Sequence, residues 1–237
     1  MNSYRLVESW KGFMQFIGLA KQPLKSAYDD ELCLSMEVDS GGVLLILYKP
    51  SRTIKGVVVD VVAGCRIKPT ELPCVPDTFQ VASVYVEKEH RGKGLGPLIY
   101  KMAFYVANEE LDGGLTSDQN VSSKPGAIDR WRKFINKKQV EPRETEMGND
   151  EFDYSGQQTP EDTQDDCERP KGTTATNKSW KLKDMEKVRP LFDKMTARHE
   201  KLMKAVPNSS EIKKAIFKNY GEGFIRNYPS QVLGGEK

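Results

Sequence analysis

Three glycines within five residues, Gly92, Gly94 and Gly96, separate a strand-forming run from a helix-forming one, and this junction constrains the chain most. Val81-Ala82-Ser83-Val84-Tyr85-Val86 is mainly β-branched and aromatic, as a buried strand requires. Beyond Gly96, the apolar residues Leu98, Ile99, Met102, Ala103 and Val106 recur at helical spacing. Pro97 suits the first turn of that helix, where a missing N–H costs nothing. Glycine lets the backbone turn tightly and approach a ligand closely. Successive amides leading into a helix N-terminus form a seat for a phosphate or pyrophosphate, and Arg91 and Lys93 add positive charge there.

Two phosphate-binding patterns do not fit. A Walker loop ends in Gly-Lys-Ser/Thr, whereas Gly94-Leu95-Gly96-Pro97 stands here. A dinucleotide fingerprint needs an acid at the tip of a second strand, and Glu109 and Glu110, at about that distance, end a helix instead. The run Arg91-Gly92-Lys93-Gly94-Leu95-Gly96 follows the pattern R/Q-x-x-G-x-G/A, preceded by a Val-x-Val strand end. It resembles the acetyl-coenzyme A loop of the GNAT superfamily of N-acetyltransferases, over residues 43–140. The resemblance implies an α+β (α/β) fold: a mixed, mostly antiparallel sheet flanked by helices and splayed between its fourth strand (80–86) and fifth (115–117). Acetyl-coenzyme A would lie in that opening as cosubstrate. Its pantetheine arm would run along Val84, Tyr85 and Val86, and its pyrophosphate would take the amides of Gly92, Lys93, Gly94, Leu95 and Gly96. Arg91 and Lys93 would stand as rim charges.

The helix over 125–135 departs from the family pattern. Trp131 stands where many members have a tyrosine that protonates the leaving thiolate, and indole cannot serve as that acid. The Gly-Phe that begins the next family strand is also missing. Tyr85 and Ser123 are alternative acids. A primary amine with a pKa near 10 must lose a proton before it attacks, and Asp60, Glu87 and Asp118 are the candidate bases. Asp60 has two readings, as a side chain on the exposed face of an antiparallel sheet or as a contact to the substrate amine. Glu87 to His90 is expected to be a solvated connector, with His90 at the surface.

Elsewhere the spacing predicts a short strand over 4–7, a helix over 8–20 and a strand over 31–38. Val43 to Tyr48 and Ile54 to Val62 read as a hairpin reversing at Lys49-Pro50-Ser51-Arg52, and 65–79, with three prolines, as a loop. Leu115-Thr116-Ser117 is a short strand, and Pro125 opens the helix carrying Trp131.

Composition then divides the chain into a domain over 1–140, a linker over 141–178 and a helical extension over 179–237. Residues 141–170 hold eleven acidic side chains against two basic, and 171–237 hold fifteen Lys and Arg against seven acidic. Met185 to Val206 is helical in spacing across a turn at Pro190, and a capped helix from Ser209 stops at Gly221. This appended hairpin must bury its apolar face on the domain, on a second copy or on a partner protein. Nucleic acid is not the expected partner, because aromatic and basic residues do not interleave. No membrane span or signal peptide is visible. Cysteines without C-x-x-C spacing and only two histidines argue against a metal site or disulfides and for a reducing cytoplasm. Two functions follow: N-acetylation of an amine on a protein or small molecule, or a catalytically degenerate fold serving as a virion or host-interaction component. The second arises because Leu115-Thr116-Ser117-Asp118, followed by the helix with Trp131, resembles acetyltransferase-like proteins of tailed bacteriophages. Such a protein would sit in the host cytoplasm or the virion.

Overall fold

Long runs of β-branched and aliphatic residues form the centre of the sheet in a computed structural model that describes residues 31–53, 56–70, 77–117, 125–143, 178–206 and 209–227. All of these lie in the compact unit Glu31–Lys237. The strand over 4–7 and the helix over 8–20 lie outside the described residues. Strand β1 (Cys33–Asp39) pairs antiparallel with β2 (Gly42–Thr53), β2 with β3 (Gly56–Pro69), and β3 with β4 (Thr78–Val86). β4 then pairs parallel with β5 (Gly114–Thr116), and β6 (Val140–Pro142) and β7 (Trp180–Leu182) complete the order β1-β2-β3-β4-β5-β7-β6. The described residues thus form a mixed α+β fold on a seven-stranded, mostly antiparallel sheet. Helix α1 (Leu95–Tyr105) ends in a wider turn, Val106–Glu110; α2 (Pro125–Asn136), α3 (Met185–Ala205) and α4 (Ser209–Asn227) follow.

The expected hairpin forms, but it reverses later than Lys49–Arg52. Both strands continue, with Pro50 opposite Val59 and Thr53 opposite Gly56. β1 leaves β2 after Tyr48, so Pro50 lies where β2 is paired on one side, a place that tolerates a missing N–H. The loop expected from residue 65 is likewise strand as far as Pro69.

One face of the sheet is covered by the C-terminal helices. Leu44, Ile46 and Tyr48 alternate along β2 and meet Ile212 and Ile216 of α4, with Val59 and Val61 beside them. Cross-strand neighbours Ile46, Gly64 and Tyr85 continue this face toward β4. In α3, Val188, Phe192 and Met195 are buried, and the Phe192 ring lies 4.3 Å from that of Tyr105. The described residues of 179–237 therefore contribute a strand inside the sheet and two helices packed on the rest of the unit, rather than an appended hairpin.

Local signals fail twice here. Pro190 lies inside α3 without ending it, near its start, where the lost hydrogen bond is offset by burial of Val188, Phe192 and Met195. Gly221 does not stop α4, which runs on to Asn227. Packing supplies the reason for a second glycine at Gly223, where a Cβ would lie 2.3 Å from Glu87 Oε1 and 2.8 Å from the Tyr85 hydroxyl.

α3 is also tied to the sheet by a polar contact, Tyr48 to His199 Nδ1 at 2.8 Å. Burial, more than the nearby Lys213 charge, holds His199 below the ordinary imidazole value of 6.5. The unfolded chain therefore binds this proton more readily, so the contribution is complete above about pH 6.5 and is lost as pH falls below it. Thermal melts should shift down between about pH 7.5 and 5.5, and His199→Gln should flatten that slope. An unchanged slope in the variant would assign the effect to other groups.

Candidate functional site

The glycine loop leaves the sheet at a fixed place. The Glu87 amide donates to the Val62 carbonyl at 3.0 Å, holding the chain against β3 just past the end of β4. A single 3-10 turn, Lys88–His90, follows. Gly92 and Gly94 then take left-handed conformations with φ of 77° and 83°, and Gly94 is the N-cap of α1. A side chain would strain either position by about 1–2 kcal/mol. A Cβ on Gly92 would meet no atom within 4 Å, so conformation, not crowding, selects glycine there. Leu98 N–H donates to the Gly94 carbonyl at 3.2 Å, and the preceding amides sit in the turn where a helix has no acceptors of its own.

The surrounding charges differ in part from expectation. Arg91 is exposed at the loop, and its Nε donates to the Val86 carbonyl at 3.0 Å, which ties the loop back to β4. Lys93 is exposed at the loop. A third cation, not singled out in the sequence, comes from α2: Arg130 Nη2 lies 3.8 Å from where a Cβ on Gly96 would be. No sequence signal marks it, because α2 reaches the loop only through tertiary packing.

β4 and β5 run together only over Thr78–Gln80 and Gly114–Thr116, and β4 continues for six residues beyond that pairing, to Val86. Its ladder with β3 also slips by one residue at Ala82, between the Arg66–Ser83 and Ile67–Val81 pairs. Val84 is half-buried, and Val86 Cγ2 is 3.9 Å from the position of a Gly96 Cβ. Tyr85 faces α4, with its hydroxyl donating to the Tyr220 carbonyl at 3.2 Å and the two rings 5.5 Å apart. That places the Tyr85 phenol in the contact between β4 and α4.

Just past the end of β4 is a cavity of about 510 Å³ lined by Val59, Asp60, Val61, Glu87, Glu89, His90, Asn219 and Glu222. The candidate bases Asp60 and Glu87 meet here; Asp118 and Ser123 lie outside the described residues. Glu87 is only 8% exposed, so it is a wall of the cavity and not part of a solvated connector. His90 is not a surface side chain either: it is 15% exposed, with Nε2 3.2 Å from Asp60 Oδ2. Asn219 donates to the Val59 carbonyl at 2.8 Å, which fixes α4 as the opposite wall. Four carboxylates around one imidazole give a site suited to a cation. Among the described residues, no group of three or more His, Cys, Asp and Glu side chains is placed to hold a metal, and no helix is long and apolar enough to cross a membrane.

Trp131 is 3% exposed and packs edge-on against Tyr100 and Phe104, with centroids 6.0 and 5.5 Å away. Phe134 joins the same aromatic group. The indole anchors α2 on α1, a packing role. Comparison with known proteins finds no matching family model and no matching curated sequence.

Proposed function

We propose that the chain is an acetyl-coenzyme A-dependent N-acetyltransferase that acylates a primary amine, on a GNAT-type fold. The observation that carries this reading is the amide cradle: two left-handed glycines opening α1 beside the place where β4 outruns β5. The residues present suit a diphosphate ester. Gly92 faces open space, the α1 N-terminus favours anions, and Arg130 and Lys93 bring cations to the same loop.

Acetyl-coenzyme A supplies an acyl group already activated as a thioester. The protein's part is to bind and deprotonate the amine. Asp60, Glu87, Glu89 and Glu222, which line the cavity, attract the ammonium form, and Glu87 or Asp60 takes its proton in this reading. With Trp131 committed to packing, the thiolate leaves as the anion, which its modest basicity allows, and is protonated afterwards by solvent.

The virion or host-interaction reading draws on the phage resemblance, on Trp131 in place of an acid, on the missing Gly-Phe and on a C-terminal hairpin needing a cover. The buried faces of α3 and α4 find theirs in the protein's own sheet and α1, which removes the last of these grounds. The transferase reading is tested by following free thiol released from acetyl-coenzyme A with spermidine or a lysine-containing peptide. Amine-dependent release is expected; no release with either amine would count against the transfer.

A further inference from the structure

We infer that His90 is a positioning residue: it fixes the Asp60 carboxylate at the cavity wall, where Asp60 holds the ammonium group of the acceptor. The inference rests on the transferase reading for the acceptor's identity as an amine. Asp60 projects from β3 between two valines, and its side chain is 55% exposed. Such a carboxylate samples several rotamers unless something holds it, and fixing it costs side-chain entropy.

His90 has the geometry to hold it. Its backbone is locked into the turn after β4, with His90 N donating to the Glu87 carbonyl at 2.9 Å and Arg91 N to that of Lys88 at 3.3 Å. Its ring is mostly buried and presents Nε2 to Asp60 Oδ2 at 3.2 Å. With Nε2–H as the donor, Oδ2 is engaged and Oδ1 is left for a ligand.

The surroundings make this contact matter. Glu87, which caps the turn, and Glu89 within it precede His90, and Glu222 lines the cavity from α4. Like charges favour Asp60 swinging outward, away from those carboxylates. The imidazole opposes that movement, and the same turn leads into the glycine loop. His90 therefore holds the amine-binding carboxylate from a backbone turn that is itself fixed at the end of β4. Stability alone gives little reason for the contact, since a partly exposed polar pair contributes little to folding.

The test is calorimetric titration of spermidine into the wild-type protein, His90→Ala and His90→Gln, with acetyl-coenzyme A titrated in parallel. Ala removes the donor; Gln keeps a side-chain N–H that can reach a carboxylate. Spermidine should bind the wild type, weaken about tenfold or more in His90→Ala and recover to within about threefold in His90→Gln. Melting temperatures and acetyl-coenzyme A affinity should be unchanged across the three. Rescue by Gln separates positioning from a general packing role. No spermidine binding to the wild type, equal binding by the Ala variant, or failure of Gln to restore it would overturn the inference. Loss of acetyl-coenzyme A binding in all three, with the spermidine pattern intact, would remove the transferase reading and leave the Asp60–His90 role standing.

Discussion

Gly94→Glu is expected to abolish acetyl-coenzyme A binding while leaving the protein folded. Gly94 is left-handed at φ 83° and caps α1, so any side chain there adds about 1–2 kcal/mol of backbone strain. Glutamate also puts a negative charge at the amides that would receive the coenzyme phosphates, where it competes with and repels a bound anion. Strain and repulsion act together on binding, and strain alone acts on stability. Affinity should fall by about 100-fold or more, since each 1.4 kcal/mol is a factor of ten. The melting temperature should drop by only a few degrees. Equal affinity in this variant would mean that the glycine loop is a structural turn.

The largest effect on stability is expected at Trp131. Its ring is almost fully enclosed and edge-on to Tyr100 and Phe104 of α1, which also pack against Phe134. Trp131→Ala removes that contact area and leaves a cavity, a change that costs about 3–5 kcal/mol in well-packed cores. For a chain of this size that lowers the melting temperature by about 10 °C. Trp131→Tyr should be milder in stability and should not accelerate acyl transfer, because the side chain at this position is occupied by packing. A clear rate increase in the Trp131→Tyr variant would show instead that the side chain here reaches the reacting thiolate.

Local pattern carries a good part of this architecture. The β4–loop–α1 unit is legible because period two, glycine spacing and period 3.6 follow each other without interruption. β1 is legible from the alternation of Leu32, Leu34, Met36 and Val38. The strands β6 and β7 are not, because three residues are too few to show a period, and Trp180–Leu182 finds its partners Val140–Pro142 far away in sequence. Pro190 and Gly221 are strong local stop signals, yet burial along α3 and α4 outweighs both.

Site legibility has the same limit. Asp60 and Glu87 can be singled out by residue type, but their meeting in one cavity depends on where β3 and the end of β4 lie. Arg130, Asn219 and Glu222 carry no motif, and tertiary packing alone brings them to the loop and the cavity. In the sequence, His90 is one more polar residue in a charged connector. Its partner, thirty positions earlier, is what gives it a role.

The central claim is that the loop from Arg91 to Gly96 seats acetyl-coenzyme A. Calorimetric titration of acetyl-coenzyme A into the purified wild-type protein tests it most directly. Saturable binding near one equivalent, lost in Gly94→Glu, is the predicted result. A flat titration with folded wild-type protein would contradict it.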